Sequence, residues 1–177
     1  GTGIEVEVKY GKSAAMAALL MEEGSNSPAD LYFGQEPGTL GTVASMLTSL
    51  PESIQSQVPD WARSPDGKWV GISGRARTIA YSTERVNPDE LPSDIWDLTD
   101  SKWKGRIGWA PSNSSFQTMI TAMRAEWGEA QTEQWIECIR DNDAAVYPKN
   151  TPQVEAAAKG EIDVGFVNHY YLYKFVL

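Results

Sequence analysis

The chain has 177 residues and a formal net charge of −9, with 41% hydrophobic and 22% charged residues, which suits one folded domain or two small lobes with a sizeable core. No run of Lys or Arg supplies the basic footprint that nucleic acid or an anionic membrane requires, so nucleic acid is not an expected partner. No apolar stretch reaches the roughly 20 residues that span a bilayer, and the single cysteine, Cys138, excludes an internal disulfide.

Ile4, Val6 and Val8 alternate with Glu5, Glu7 and Lys9, the pattern of a half-buried strand, and residues 13–23 then carry Ala, Met and Leu at helical spacing before Gly24. Residues 30–34 read as a second short strand, followed by a helix over about 37–47 and a turn-rich stretch through Pro51, Pro59 and Pro65. Two strand-to-helix units in succession favour a parallel sheet. Strands are expected over 68–73 and 76–81, joined by Gly74 and Arg75, and we place a lobe boundary at that crossing.

Beyond a segment holding Ile95, Trp96 and Leu98, residues 106–110 read as a strand. A helix follows, capped by Asn113 or Ser114, with Phe116, Ile120, Met123 and Trp127 on one face. A second helix is expected over about 129–140, with Cys138 on its apolar pattern, then a short strand through Val146. Thr151 and Pro152 start a further helix that stops at Gly160, and residues 162–167 form a last strand. The persistent alternation makes the class α/β.

Both ends are expected to be cut. The chain opens on a strand with no preceding partner and stops on the apolar tail Phe175, Val176, Leu177, without a helix-stop signal. No signal peptide is present, so in an exported parent it would lie upstream. Edges exposed by such truncation would favour a homodimer by strand exchange.

The segment VNHYYLY gathers Asn168, His169, Tyr170, Tyr171 and Tyr173 where a strand ends, and ligand crevices of open α/β sheets lie at the carboxyl ends of strands. Consecutive tyrosines are also compatible with half-buried strand residues whose hydroxyls meet solvent. A phenolate, however, is a hard, strongly basic oxygen ligand suited to a hard trivalent cation. Neighbours on a regular strand point to opposite faces, so both phenols reach one metal only if the strand ends there and the chain bends.

The runs PADLYFGQ, SGRAR, DLTDSKWKGRIGWAPSNSSF and VYPKNTPQVEAAAKGEIDVGFVNHYYLY resemble, in order and along nearly the whole chain, the periplasmic ferric-ion-binding proteins of bacterial transferrin type. These are the solute-binding components of iron ABC importers. The resemblance implies a two-lobed fold like the type II periplasmic binding proteins, with mixed or parallel sheets flanked by helices and an incomplete first lobe. Residues 1–74 would be the partial first lobe, lacking an N-terminal strand and the C-terminal return; residues 75–177 would be the second. It further implies a periplasmic or cell-surface location, an ABC importer permease as partner, and no enzymatic activity.

By the same resemblance Tyr170 and Tyr171 are the Fe(III) ligands in an interlobe cleft. A synergistic phosphate or carbonate would be held at Asn113, Ser114 and Ser115, assisted by Asn150 and Asn168. Helix-start amides and small hydroxyl residues agree with an anion site. Turn capping is the plain alternative for Asn150 and Asn168. Arg75 and Arg77 fall near the anion or the tyrosinates; if that stretch is extended only one faces the cleft, and we favour Arg77. Gln35 stands where one branch of the family has a glutamate ligand, with Glu36 one residue later, and Phe116 stands where another branch has a third tyrosine. His169 lies between Asn168 and Tyr170 and is not expected to bind metal directly. The seven tryptophans are spread along the chain, which favours core packing over a sugar or quaternary-ammonium site. Two other readings remain: the same fold receiving a polyamine, thiamine or a small anion, and a hydrolase. The second would have to rest on His169 alone, because no G-x-S-x-G, P-loop or His-Glu-x-x-His pattern occurs.

Overall fold

The structure, a computed structural model, describes residues 2–171 and 173. Its chain parts into two compact units, Gly1–Ile72 and Ser73–Leu177.

In the first unit α1 spans Ser13–Glu23, α2 spans Pro37–Thr42, and α3 is the single turn Glu52–Gln55. Glu36 caps α2 by accepting from the Thr39 amide at 3.1 Å, with Pro37 in the first helical turn. The helix expected to run to residue 47 breaks at Val43 and resumes as a 3-10 turn, Ala44–Met46; the Gly-Thr-Val run has poor helix propensity.

The strands expected over 4–8, 30–34 and 68–73 do not form. Their alternation is real, but a strand needs a partner to take its amides and carbonyls, and none pairs along them among the described residues. Only an isolated bridge joins Arg63 to Val70. Ile4 is accordingly 73% exposed and Phe33 67%. The 30–35 segment is instead tied to α1, with Tyr32 Oη donating to the Ser13 carbonyl at 2.9 Å and the Gln35 amide to Ser13 Oγ at 3.3 Å.

The second unit holds β1 (Arg77–Tyr81), β2 (Ile107–Trp109), α4 (Ser114–Trp127), α5 (Glu129–Asp141), β3 (Ala145–Val146), α6 (Asn150–Ala158) and β4 (Val164–Asn168). The sheet order is β1-β4-β2-β3. β4 lies between an antiparallel neighbour, β1, and a parallel one, β2, which in turn pairs parallel with β3. All five β4 residues are buried, as a strand covered on both faces requires. Arg77 sits opposite Asn168, and Tyr81 opposite Val164.

One face of this sheet carries an aromatic core. Phe116 meets Trp109 and Phe166 edge-on at 5.9 and 6.1 Å, and Trp135 meets Phe166 at 5.5 Å, separations in which such pairs add about 0.5–1.5 kcal/mol beyond area burial. Trp103 and Trp135 are fully buried, in line with core packing; Trp61, in the first unit, is 84% exposed and departs from it. Gly128 separates α4 from α5 at φ +82, a conformation open to glycine. Against β2 and β4 sits a smaller cluster of Ala156, Ala157 and Ile162 with Ala145 and Tyr147. A Cβ on Gly108 would come within 2.4 Å of Ile162 Cδ1, so the glycine permits this close packing.

Asp163 locks the start of β4. Its buried carboxylate accepts from Arg85 Nε and Arg106 Nε, and its main-chain carbonyl accepts from the Ser82 amide at 2.9 Å. Burial opposes the charge, but the two guanidinium hydrogen bonds outweigh it and hold the carboxyl below its usual range. A depressed acid stabilises the fold fully above its unfolded pKa of about 3.9, and that contribution is lost as pH falls through the folded value. Because both arginines keep some access to water, Asp163→Asn should cost about 1–3 kcal/mol rather than the full penalty of a buried unpaired charge. Urea midpoints measured from pH 7 down to pH 3 should show this deficit shrinking with acid.

Candidate functional site

β1 and β4 end together, and the groups singled out in the second unit gather there. The Arg77 side chain leaves the first residue of β1 and lies half-buried over the Phe116 ring, its guanidinium carbon 5.7 Å from the centroid. Nη1 donates to the Phe166 carbonyl at 2.8 Å and makes a longer contact, 3.5 Å, with Asn150 Oδ1. Nη2 donates to Ser115 Oγ and reaches Asn113 Oδ1 at 3.5 Å. One planar fork thus joins β4, the start of α4 and the start of α6, a task suited to guanidinium geometry. Burial pulls its pKa down to about 10, against the opposing pull of Tyr170 and Tyr171, so it stays cationic at neutral pH.

Asn113 is the cap of α4, as expected. Its Oδ1 accepts from the Ser115 amide at 3.1 Å, the Phe116 amide at 3.3 Å and Ser115 Oγ at 2.7 Å. Two of the helix-start amides therefore already have an acceptor. Ser114 is the first residue of the helix. Asn150 and Asn168 are almost wholly buried, 1% and 4% exposed.

Past Asn168 the chain turns at His169 and Tyr170. The bend the tyrosine pair requires is present, and the two rings stack at 4.7 Å with planes 28° apart. Tyr171 and Tyr173 are helical; the apolar tail lies outside the described residues. Burial raises the Tyr170 phenol, the largest single influence. Hydrogen bonds from Asn168, Arg75 and Tyr171, with the charge of Arg75, outweigh it and bring the phenol below its ordinary value. The Asn168 bond is long, Nδ2 to Oη at 3.4 Å. Tyr171 moves the opposite way: burial and the hydrogen bond and charge of Tyr170 raise it, against smaller help from Asn150 and Arg75. The two phenols thus move in opposite directions, as coupled groups in contact do.

β1 begins at Arg77, so Arg75 lies outside the ladder and the alternation expected of an extended stretch does not extend to it; its charge acts on the Tyr170 phenol. His169 does not turn idly to solvent: its amide donates to the Ala76 carbonyl at 2.9 Å and its Nδ1 accepts from the Ala76 amide at 3.1 Å. The part played by main-chain atoms of Ala76 and Phe166 escaped sequence reasoning, since backbone groups leave no side-chain signature. Gln35 belongs to the first unit, where its side chain is exposed. Among the described residues no three His, Cys, Asp or Glu side chains group as a metal cluster.

A mixed sheet flanked by helices, with paired phenols and a capped helix start where β1 and β4 end, defines a type II periplasmic binding protein fold. Residues 15–175 match the model of the bacterial extracellular solute-binding protein family, and the chain belongs to that family. It is 33% identical over 181 residues to the major ferric iron-binding protein of Neisseria meningitidis, covering 98% of this chain and 54% of the relative. The crystal structure of iron-bound HitA from Pseudomonas aeruginosa superposes with a TM-score of 0.91 at 30% identity, covering 98% of this chain and 57% of that one. Trichodesmium IdiA (FutA), in complex with iron and citrate, gives 0.84 at 34% identity, with 98% and 56% covered. The chain spans about half the length of these relatives.

Replacing the fork by a single ammonium tests its structural share. Arg77→Lys keeps the charge but cannot reach Phe166 O, Ser115, Asn113 and Asn150 together, so unfolding free energy should drop by about 1–2 kcal/mol. Thermal melts of the two proteins at pH 7 check this.

Proposed function

We propose that the protein carrying this chain is a receptor for Fe(III), held by the phenolates of Tyr170 and Tyr171, and that it passes the metal to the permease of an ABC importer outside the cytoplasmic membrane. The observation that carries the reading is the stacked phenol pair at the end of β4, with Asn168 Nδ2 3.4 Å from the Tyr170 hydroxyl and the charge of Arg75 helping to lower that phenol. Hard phenolate oxygens match a hard trivalent cation. A bound cation would drive ionisation of both phenols, because metal charge inverts local pKa logic. The iron-binding relatives support the choice of cargo, and the family description supports the location.

A small oxyanion, phosphate or carbonate, completes the proposal. The cationic fork of Arg77, the hydroxyls of Ser114 and Ser115, and the amides of Asn113, Asn150 and Asn168 supply its surroundings. Since Asn113 Oδ1 already accepts from the Ser115 and Phe116 amides, an anion at the helix start takes over that acceptor role. Arg77 then supplies the opposite charge that offsets its desolvation.

Adding ferric nitrilotriacetate should produce a visible tyrosinate-to-iron charge-transfer band. Tyr170→Phe and Tyr171→Phe should each weaken binding by more than about 100-fold, exceeding the loss typical of groups that only support ligands, and the double variant should stay colourless. A wild-type protein that remains colourless and leaves the chelate intact counts against the iron reading.

A further inference from the structure

Antiparallel β1 and β4 pair in register from Tyr81 opposite Val164 to Arg77 opposite Asn168. The next pair is Ala76 with His169, and in a regular ladder two such residues exchange both of their main-chain hydrogen bonds. Only one is present: the His169 amide donates to the Ala76 carbonyl at 2.9 Å. The return bond from the Ala76 amide goes to Nδ1 of the His169 ring, at 3.1 Å. We propose that the His169 imidazole is a positioning residue, the last acceptor of the β1–β4 ladder, which takes the place of its own main-chain carbonyl and so lets the chain turn into the tyrosine pair.

The geometry makes this substitution consequential. Were His169 to stay extended and offer its carbonyl, alternation would send Tyr170 and Tyr171 to opposite faces. Were the chain to turn without a ring acceptor, the exposed Ala76 amide would turn to water and the ladder would end one bond earlier. The imidazole resolves both demands, and the same bond fixes the residue between Arg75 and Arg77, whose side chains reach Tyr170 and the starts of α4 and α6. Nδ1 also lies 3.4 Å from the Ala76 carbonyl; the bond invoked here is the shorter one from the Ala76 amide, which needs the tautomer protonated on Nε2. The ring also stands edge-on to Tyr170 at 5.8 Å, limiting where that phenol can lie.

The consequence for metal binding rests on the ferric reading above; the ladder bond itself does not. Asparagine carries its Oδ1 the same number of bonds from Cα as histidine carries Nδ1, glutamine carries its oxygen one bond further, and phenylalanine keeps only the ring. Amide exchange at Ala76, followed residue by residue in the whole chain, reports the bond without iron; ferric nitrilotriacetate reports the pair. His169→Asn should keep Ala76 protected and hold ferric affinity within about twofold of wild type. His169→Gln and His169→Phe should speed Ala76 exchange and weaken ferric binding, each by about two- to tenfold, the range for one net hydrogen bond, with a shifted charge-transfer maximum. A residue that merely filled space would be rescued by Phe and not by Asn, and that order overturns the proposal, as does unchanged Ala76 exchange in both the Gln and Phe variants. Should the Phe variant fail to fold, the Asn and Gln pair decides. If the wild type gives no band, the ferric reading falls while Ala76 exchange still decides the ladder bond.

Discussion

The antiparallel ladder between β1 and β4 is the constraint on which the site depends. It joins positions about 90 residues apart in sequence, Arg77 opposite Asn168, and it brings to one point groups that no local segment holds together. Phe166, in the middle of β4, does two things at once. Its ring packs edge-on with Phe116 and Trp135, and its carbonyl accepts from Arg77. Core packing therefore sets the height of β4, and β4 sets the place of the guanidinium. Asp163 secures the other end of the strand through Arg85 and Arg106, so the strand that leads into the tyrosines is held at both ends.

Electrostatics then gives this geometry its chemistry. Two guanidiniums approach two phenols in a region where the asparagines are buried and oriented. Burying Arg77 disfavours its charge, which the nearby phenols partly restore; burying the phenols disfavours theirs, which Arg75 partly restores. The opposed penalties are met by the same contacts, so neither charge is left alone in a poorly solvated place. The two tyrosines are nonetheless unequal, one lowered and one raised. In the ferric reading proposed above, an entering cation would meet one phenol lowered and one raised from the ordinary value.

Much of the second unit could be read from sequence. The apolar runs at 76–81, 106–110 and 162–167 became β1, β2 and β4 with ends shifted by one or two residues; β2 and β4 are buried throughout and their composition says so. Asn113 before an amphipathic stretch announced the α4 cap, and adjacent tyrosines announced hard oxygen donors. The first unit was less legible. Alternation at Ile4, Val6 and Val8 describes what a strand would bury, but a ladder is a property of two segments, and among the described residues no second one pairs there. Alternation gives no direction for Arg75, because the strand starts only at Arg77. The ring of His169 could not be placed, since nothing in a sequence states that a side chain will replace a carbonyl.

The central claim is that the turn after Asn168 sets both phenols on one metal. Resonance Raman spectroscopy of the ferric complex, excited in its charge-transfer band, tests it most directly. Tyrosinate ring modes should appear, and each of the single variants Tyr170→Phe and Tyr171→Phe should lose part of their intensity while keeping the rest. A coloured complex without tyrosinate modes, or one whose modes survive unchanged in either variant, would contradict the account.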